Sequence, residues 1–434
     1  MKIRAKWERA LRQCWTTLVL VYTLNLCAGN CASAERDLVL TGGTLYTRPD
    51  AAPLPNAVVV VRGNTVYAVG KVGAVRIPPG ARMIDCSGLT VTAGFQNSHV
   101  HFLEAKWLHT KQIPASKLAR QLNEMLTSYG FTTVVDTASD LTTTTAIRAR
   151  IESGEVPGPR IFTAGPPLFP HDAIPFYYGP FPPEMLQHFH QPASLAEAVR
   201  AVRDNLAGGA DITKLYTGSL RTPFDVKTME EAWARAAVRE THRRHKLVFA
   251  HPSSVAGIRV AIDSGADVLA HTTASPTGSG PWPADLIAEI KRRHVSVIPT
   301  LKLWGYEMRK ARQDDAAAAG FTADGVGQLE GFVKSGGDVL FGTDVGYMAE
   351  YDPMEEYVLM ARAGMSAMQI LTALTVAPAT RFGEQQKRGR VEPGMQADLV
   401  ILDGDPMQDV RNFARVRYTI RKGQVLHPLA PQLQ

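Results

Sequence analysis

The sequence predicts an α/β protein made of a (β/α)8 TIM barrel and a small β-sandwich domain built from the N- and C-terminal segments. Two observations support this prediction. Between Gly94 and Phe382, short apolar runs rich in β-branched residues alternate with helical stretches, a pattern typical of parallel βα units. On both sides of this region the sequence changes to short strands separated by glycine and proline turns.

The central region contains as many candidate strands as a (β/α)8 barrel needs. They cover residues 94–98, 132–136, 160–164, 212–216, 247–251, 268–271, 295–299 and 339–343. The region also has the length of such barrels, which typically need about 250 residues. The alternative is an open, doubly wound sheet, which a glycine-rich phosphate-binding turn after the first strand would favour. The sequence has no such turn after residue 98.

Each flank is too short to bury a core alone. We therefore expect residues 35–92 and 384–434 to form one composite β-sandwich domain beside a barrel of residues 93–383. Helical periodicity predicts barrel-coating helices at residues 116–128, 195–206, 228–245 and 352–363. In the last of these helices, Asp352 is expected as the N-cap and Pro353 at the first helical position.

The first 34 residues have the composition of an export signal. Five basic residues precede an apolar run at residues 15–28, which ends near the small residues Ala32, Ser33 and Ala34. This order predicts a signal peptide at residues 1–34 that is cleaved near Ala34. The mature protein is then expected to be exported, either to the periplasm or to the medium.

Two other interpretations of this segment fit less well. The apolar run is shorter than the roughly 20 residues of a membrane-spanning helix, so we expect no stable membrane span after cleavage. The second interpretation is a lipid anchor on Cys27 or Cys31. Leu26 and Asn30, which directly precede these cysteines, are poor matches to the small residue that a lipidation motif needs.

Charge and cysteine content exclude two classes of protein. Removal of residues 1–34 lowers the formal net charge from +6 to +2, and the remaining chain has no basic stripe interleaved with aromatic residues. We therefore expect no nucleic-acid partner. The expected partner is a small-molecule substrate. Of the four cysteines only Cys86 remains, which excludes a disulfide framework within one chain. The sequence is compatible with a homo-oligomer as well as with a monomer.

A His-x-His pair, His99 and His101, directly follows the first predicted barrel strand. A period of two places both imidazoles on the same side of an extended chain, where they can chelate one cation. The alternative is a structural pair. That alternative is preferred for His188 and His190, because no predicted strand precedes them.

Four more polar residues lie within or at the ends of other predicted strands: Lys214, His251, His271 and Asp344. The carboxyl ends of barrel strands converge at one face, so we expect these side chains to meet the His-x-His pair. A lysine within a buried strand is costly unless it is paired or neutralised. The alternative for Lys214 is a side chain that extends to the barrel rim.

In this order, the residues resemble the amidohydrolase superfamily, in the branch whose two metals are bridged by a carboxylated lysine. The resemblance is to imidazolonepropionase-like and Xaa-Pro dipeptidase-like enzymes, and it includes the tail at residues 389–400. Two positions depart from the family pattern. Asn97 replaces an aspartate that is not a metal ligand, and Ala377 replaces the asparagine of an Asn-Pro-Ala motif.

The resemblance implies a centre of two divalent ions, with zinc well suited to histidine and carboxylate ligands and manganese an alternative. One ion would take His99, His101 and Asp344, and the other His251 and His271. An N6-carboxylated Lys214 and a hydroxide would bridge the two ions. Asp344 would act as the general base and then as the general acid.

The substrate is less well defined by the sequence. Aromatic segments at residues 165–178 and 302–306 are expected to cover the site, with substrate contacts from Tyr216, His171, Tyr178 and Lys302. Cleavage of an amide or dipeptide C–N bond is the preferred reaction. Alternatives are a cyclic amide of the lactam or imidazolone type and a phosphotriester. Lys214 argues against deamination, and a non-catalytic scaffold is the alternative from another class.

Overall fold

The computed structural model describes residues 37–273, 280–311 and 314–431 of the chain. The predicted signal peptide at residues 1–34 therefore lies outside the described residues. Within the described ranges, none of the helices combines the length and the apolar character of a membrane span.

The described chain alternates strands and helices in the order that the sequence predicts. The strands are β1 (Leu38–Leu45), β2 (Leu54–Arg62), β3 (Thr65–Lys71), β4 (Arg82–Asp85), β5 (Thr90–Ala93), β6 (Phe95–Val100), β7 (Phe131–Asp136), β8 (Arg160–Thr163), β9 (Ile212–Tyr216), β10 (Gly218–Thr222), β11 (Asp225–Thr228), β12 (Leu247–His251), β13 (Val268–Ala270), β14 (Ser296–Ile298), β15 (Leu399–Leu402), β16 (Val416–Arg421) and β17 (Gln424–His427). The helices are α1 (Ala115–Met125), α2 (Leu141–Glu152), α3 (Pro183–Leu186), α4 (Leu195–Ala207), α5 (Glu231–His242), α6 (Val255–Ser264), α7 (Ala284–Arg292), α8 (Lys302–Lys310), α9 (Asp315–Lys334), α10 (Met354–Arg362), α11 (Ala367–Leu374) and α12 (Val376–Arg381). Short 3-10 turns lie at Ala105–Trp107, Thr127–Tyr129, Phe176–Tyr178 and Val410–Ala414.

Strands from both ends of the chain share one hydrogen-bonded sheet. Its order is β17-β16-β15-β5-β1-β2-β3, and β4 pairs in parallel with the first half of β1. The junction is the antiparallel pair of β15 and β5, in which Leu399 faces Ala93. One face buries a cluster that includes Leu40, Val59 and Ile401. The exact boundaries of this unit and a second layer that would make it a sandwich stay predictions.

Seven parallel strands form the centre of the molecule, in two groups ordered β6-β7-β8 and β9-β12-β13-β14. Seven of the eight predicted barrel strands therefore coincide with strands of the structure. The eighth, at residues 339–343, runs as an extended segment between β14 and β6. Leu340 N donates to Val297 O at 3.0 Å, and Ser98 N donates to Phe341 O at 2.7 Å. At the other junction between the two groups, the segment that follows β8 pairs with β9, because Tyr216 N donates to Leu168 O at 2.8 Å.

The helices that follow these strands bury one apolar side each. In α4, for example, Ala198, Ala201 and Val202 are buried at helical spacing, and the Ser194 hydroxyl caps the first turn. The four predicted helices correspond to α1, α4, α5 and α10, with ends that differ by at most three residues. The expected start of α10 needs a correction, because Pro353 and not Asp352 is the N-cap residue.

The terminal sheet packs against the end of the parallel strands where they begin. Arg421 of β16 donates to Gly158 O at 3.2 Å and forms an ion pair with Glu152 of α2. Lys422 pairs with the same carboxylate at 2.8 Å. Because Gly158 lies just before β8, this contact fixes the sheet away from the carboxyl ends of the strands, which remain free to form a site.

Candidate active site and metal centre

The carboxyl ends of the parallel strands bring all six predicted ligands together. Their side chains are buried or nearly so, and the four imidazole rings are in contact with one another. The ring centroids of His99 and His271 are 4.6 Å apart, and those of His251 and His271 are 4.8 Å apart. Lys214, from the middle of β9, is 1% exposed, and its charge is close enough to lower the pKa of His99 and His251.

Three of these residues converge on one point. The Asp344 Oδ1 atom lies 2.8 Å from Nε2 of His101 and 3.2 Å from Nε2 of His99, and the ligand atoms of all three residues lie within 4.8 Å of one another. His101 Nδ1 donates to Ala138 O at 3.0 Å, so its Nε2 lone pair faces the carboxylate. An acceptor that faces an acceptor at this distance calls for a cation between them.

The other group contains His251, His271 and Lys214. The Nδ1 atom of His251 and the Nζ atom of Lys214 are buried and have no hydrogen-bond partner among the described residues. His271 Nδ1 is hydrogen-bonded to the Thr300 hydroxyl, which leaves Nε2 for a ligand role. Two unpartnered buried nitrogens side by side are unusual in a folded protein and point to a missing partner.

Burial shifts these side chains toward their uncharged forms. It lowers the pKa of Lys214 to about 7, and together with the Lys214 charge it lowers the pKa of His99 to about 3. Burial likewise holds the pKa values of His251 and His271 well below the usual range of histidine. Neutral imidazoles and a neutral amine can offer lone pairs to a cation.

Strained backbone surrounds these ligands. Ser253 follows β12, Thr300 follows β14, and Asp344 follows the extended segment at residues 339–343. Their φ angles are 51°, 45° and 62°, which L-residues rarely adopt. The turn at Asp344 also needs close approach to β6. A Cβ atom at Gly346 would lie 1.8 Å from the carbonyl oxygen of His101, so only glycine fits there.

Asn97, the departure from the family pattern, supports two ligands at once. Its Nδ2 donates to the Thr343 hydroxyl at 2.7 Å, and its Oδ1 accepts from the backbone N–H of His99 at 3.1 Å. Thr343 directly precedes Asp344. An amide therefore ties the strand of His99 to the segment of Asp344, which is the support that a carboxylate at this position could also give.

Three residues that the sequence analysis did not select complete the surroundings of the ligands. The Thr137 hydroxyl lies 2.9 Å from Nε2 of His99, Thr300 contacts His271, and Asp136 is fully buried below them. A signal for Asp136 was available, because it is the last residue of a predicted barrel strand, as His251 is. Thr137 and Thr300 gave no such signal.

A cavity of about 360 Å³ opens above the ligands. His101, His251, His271 and Asp344 form its floor. Its walls are largely aromatic and come from the two segments that the sequence predicts, together with residues beyond them. The walls include Phe176, Tyr177, Tyr178, Trp304, Phe321 and Tyr347.

Two of the four predicted substrate residues line this cavity. The ring of Tyr216 stacks on His251 with centroids 4.4 Å apart, and its hydroxyl lies 2.6 Å from that of Tyr178. Burial, with each tyrosine next to others, holds the pKa values of Tyr178 and Tyr216 well above the usual range. Both hydroxyls are therefore neutral. One donates to the other, and the accepting hydroxyl keeps its own hydrogen for a substrate.

The other two predicted residues lie elsewhere. His171 is 45% exposed and lies 3.3 Å from Asp172. It belongs to the segment at residues 165–178, which we call the lid. The Lys302 ammonium is buried and donates to the carbonyl oxygens of Glu350 and Asp352, both at 2.9 Å. Neither side chain lines the cavity, because backbone direction, which the sequence pattern does not give, turns them away from it.

The second His-x-His pair lies apart from the ligands, as expected for a structural pair. His188 is exposed, at 3.9 Å from Asp140. His190 Nε2 is 3.2 Å from the side-chain oxygen of Asn205. Neither residue lines the cavity.

Comparison with known proteins agrees with this geometry. Residues 90–426 match the model of the amidohydrolase family. Ochratoxinase from Aspergillus niger is 23% identical over 287 residues, which cover 61% of this chain and 58% of that relative. The match thus spans little more than half the relative's length. A 5-methylthioadenosine/S-adenosylhomocysteine deaminase from Symbiobacterium thermophilum is 25% identical over 445 residues, which cover 90% of this chain and 91% of the relative.

Solved structures share the fold. A Xaa-Pro dipeptidase with bound methionine in its active site matches with a TM-score of 0.76 at 21% identity, over 90% of this chain and 99% of the other. The family match covers well over half of the sequence, and the fold and the ligand order agree with it. The chain therefore belongs to the amidohydrolase family.

Proposed function

We propose that this protein is a metal-dependent hydrolase that cleaves the carbon–nitrogen bond of a small amide with an apolar side. One observation carries the proposal: four imidazoles, three of them buried and one partly buried, lie together with a buried carboxylate and a buried lysine that has no hydrogen-bond partner among the described residues. Three of these imidazoles and the carboxylate form the floor of an aromatic cavity. As part of the proposal, residues 338–345 complete a closed barrel of eight strands, and the terminal strands form a sandwich beside it. The hydrogen bonds on both sides of β6 support closure.

The residues present fit two divalent cations. His99, His101 and Asp344 would hold one ion, because their ligand atoms already lie close together. His251 and His271 would hold the other, and the unpartnered Nδ1 of His251 supports this role. Histidine and carboxylate ligands suit zinc. When bound, such ions activate water as a nucleophile and polarise the scissile carbonyl group.

Lys214 would bridge the two ions as an N6-carboxylated side chain. In this step the neutral amine attacks carbon dioxide, an N–C bond forms, and one proton leaves to solvent. The pKa of about 7, which burial imposes, supplies the neutral amine at physiological pH. Carboxylation would turn a buried side chain without a partner into an anion with two partners, which removes the cost of its burial.

Asp344 would move the proton during hydrolysis. Although burial raises its pKa, the neighbouring imidazoles of His271, His101 and His99 outweigh burial and hold the pKa of Asp344 well below its usual range. The ionised carboxylate can accept a proton from the attacking water and deliver it to the leaving nitrogen. The strained turn at Asp344 keeps the carboxylate at the cavity floor.

The walls favour a substrate that is apolar near the scissile bond. Among the described residues that line the cavity, Lys310 is the one lysine or arginine, and Glu307 lies 3.7 Å from it and pairs with it. Tyr347 donates to the same Glu307 at 2.8 Å. Because these charges satisfy one another, aromatic contacts dominate binding. The hydrogen-bonded hydroxyl pair of Tyr178 and Tyr216 has one hydrogen left to orient a carbonyl or carboxylate. N-acyl amino acids and dipeptides with aromatic or large aliphatic groups fit this description.

A screen on purified, metal-loaded protein tests the proposal. N-acyl amino acids, dipeptides, lactams and a phosphotriester are incubated with it, and products are identified by mass spectrometry. We expect about two divalent ions per chain and release of an amine from an acyclic amide. Fewer than about one ion per chain together with an unmodified Lys214 would favour a scaffold. Deamination of adenosine-type substrates, as the name of one relative suggests, would replace the proposed reaction.

A further inference from the structure

Asp136 is a buried carboxylate that the proposed reaction does not use. It ends β7, its side chain has no exposed surface, and it accepts hydrogen bonds from hydroxyl groups. Ser139 donates to it at 2.5 Å, Thr163 at 2.7 Å and Thr144 at 2.9 Å. Among the ion pairs of the described residues, none involves Asp136. A buried carboxylate without a cation is costly, so its place in the fold needs a compensating role.

The hydroxyl of Ser139 extends the influence of Asp136 to the strand of the ligands. While it donates to Asp136, the same oxygen accepts the backbone N–H of Phe102 at 2.8 Å. Phe102 directly follows His101. The carboxylate, the hydroxyl and the backbone amide thus form one continuous chain of hydrogen bonds that ends next to a predicted metal ligand.

The turn that begins after Asp136 supplies a partner to each imidazole of the His-x-His pair. The carbonyl oxygen of Ala138 accepts from Nδ1 of His101 at 3.0 Å, and the Thr137 hydroxyl lies 2.9 Å from Nε2 of His99. Movement of this turn would therefore rotate both rings. Such outer contacts fix the tautomer and direction of a metal-binding imidazole.

We infer that Asp136 is the positioning residue of the first metal site, which is the one that His99, His101 and Asp344 would form. Asp136 anchors the turn that orients His101 and His99. The inference rests on the proposed function. It gives Asp136 a role in metal binding without direct contact between Asp136 and the metal or the substrate. The hydroxyls of Thr144 in α2 and Thr163 in β8 hold the other carboxylate oxygen, so the anchor joins three elements of the barrel.

The test compares three variants of the full-length protein. Asp136→Asn keeps the shape of the side chain and removes its charge, and Ser139→Ala breaks the link to Phe102 while Asp136 remains. Glu240→Gln is the matched control, since Glu240 is 5% exposed and pairs with Arg203 on the helical outer layer. Zinc affinity is measured by competition with a chelator, and cobalt-substituted protein gives a visible absorption spectrum that reports ligand geometry.

We expect Asp136→Asn to bind the first ion about 10–100-fold more weakly and to shift the cobalt spectrum. Ser139→Ala is expected to weaken binding about fivefold. Glu240→Gln should leave both readouts unchanged. Unchanged affinity and spectrum in Asp136→Asn would overturn the inference. If that variant does not fold, unchanged values in Ser139→Ala overturn it instead. If the wild-type protein binds no metal, the proposed function fails and not this inference alone.

Discussion

The floor of the cavity and its walls are held in place by different physics. On the floor, directional hydrogen bonds to Asn97, Ala138 and Thr300 fix the backbone of His99 and the rings of His101 and His271, and strained turns add to the precision. In the walls, Tyr177, Tyr347 and their neighbours meet mainly through tilted and edge-to-face ring contacts with centroids 5.3 to 6.4 Å apart, which hold the rings less tightly than hydrogen bonds do. The floor therefore fixes the positions of the predicted ligands, whereas the walls determine the shape of the cavity that a substrate must fit. Changes in the floor should therefore affect turnover, and changes in the walls should affect affinity.

The largest expected effect is that of Asp344→Asn. The amide cannot accept the proton from water and is a poorer metal ligand, so we expect kcat to fall by a factor of about 10³ or more. The measurement is the steady-state rate on the best amide from the screen, with metal content determined on the same sample. Circular dichroism should show that the fold is retained. Substantial turnover in this variant would remove Asp344 from the mechanism and weaken the contrast between floor and walls.

Lys214→Met should separate function from stability. We expect loss of bound metal and of activity, yet a metal-free protein that is more stable than the metal-free wild type by about 1–4 kcal/mol, because methionine fills the site without burying an amine. The pKa of Lys214 is about 7 in the folded chain and ordinarily 10.5. The unfolded chain binds more protons between these values, so the stability of the metal-free wild type rises with pH in this window.

Urea unfolding of both metal-free proteins at pH 6.5, 8 and 9.5 measures this effect. The advantage of the variant should be largest at pH 6.5 and smaller at each higher pH. A variant that is less stable than the wild type at every pH would show that Lys214 has a favourable partner in the metal-free state. That result would remove the argument that burial demands its carboxylation.

The sequence predicted the floor better than the walls, and the reason is geometric. A polar residue at the end of a buried strand must point to the carboxyl face of the barrel, so strand ends alone identify His251 and His271. Direction in a loop has no such rule. His171 and Lys302 were therefore selected by residue type, and the structure turns both away from the cavity.

Some contacts of the floor were also beyond sequence reasoning, because their partners are distant in the chain. The turn at Thr300 is held by Glu356, whose carboxylate accepts the backbone N–H groups of Leu301 and Lys302 at 2.9 and 2.8 Å. Leu301 and Lys302 lie 55 and 54 positions before Glu356 in the chain. Local patterns predict strands and helices, whereas such a pairing depends on how α10 packs against the end of β14.

A change in the wall should have a smaller effect than one in the floor. Trp304→Ala removes an aromatic surface and the hydrogen bond from its indole N–H to the Thr272 hydroxyl. We expect KM to rise about tenfold for substrates with aromatic groups while kcat changes by less than about threefold. For a small aliphatic amide, the KM of the variant should be closer to the wild-type value. A loss confined to kcat would show that this wall helps to position the reacting groups.

The smallest expected effect is that of His171→Ala. Its side chain is nearly half exposed, and its contacts are an ion pair with Asp172 and a weak hydrogen bond to the carbonyl oxygen of Gln191 at 3.3 Å. Exposed ion pairs contribute little, so we expect the free energy of unfolding to change by less than about 0.5 kcal/mol. For the same reason kcat and KM should each change by less than about twofold. The same kinetic assay measures this with the substrate used for Trp304→Ala. A large rise in KM would mean that the lid moves His171 over the cavity when substrate binds. The walls would then be a closing element rather than a fixed shape, and the contrast with the floor would become one between moving and rigid parts.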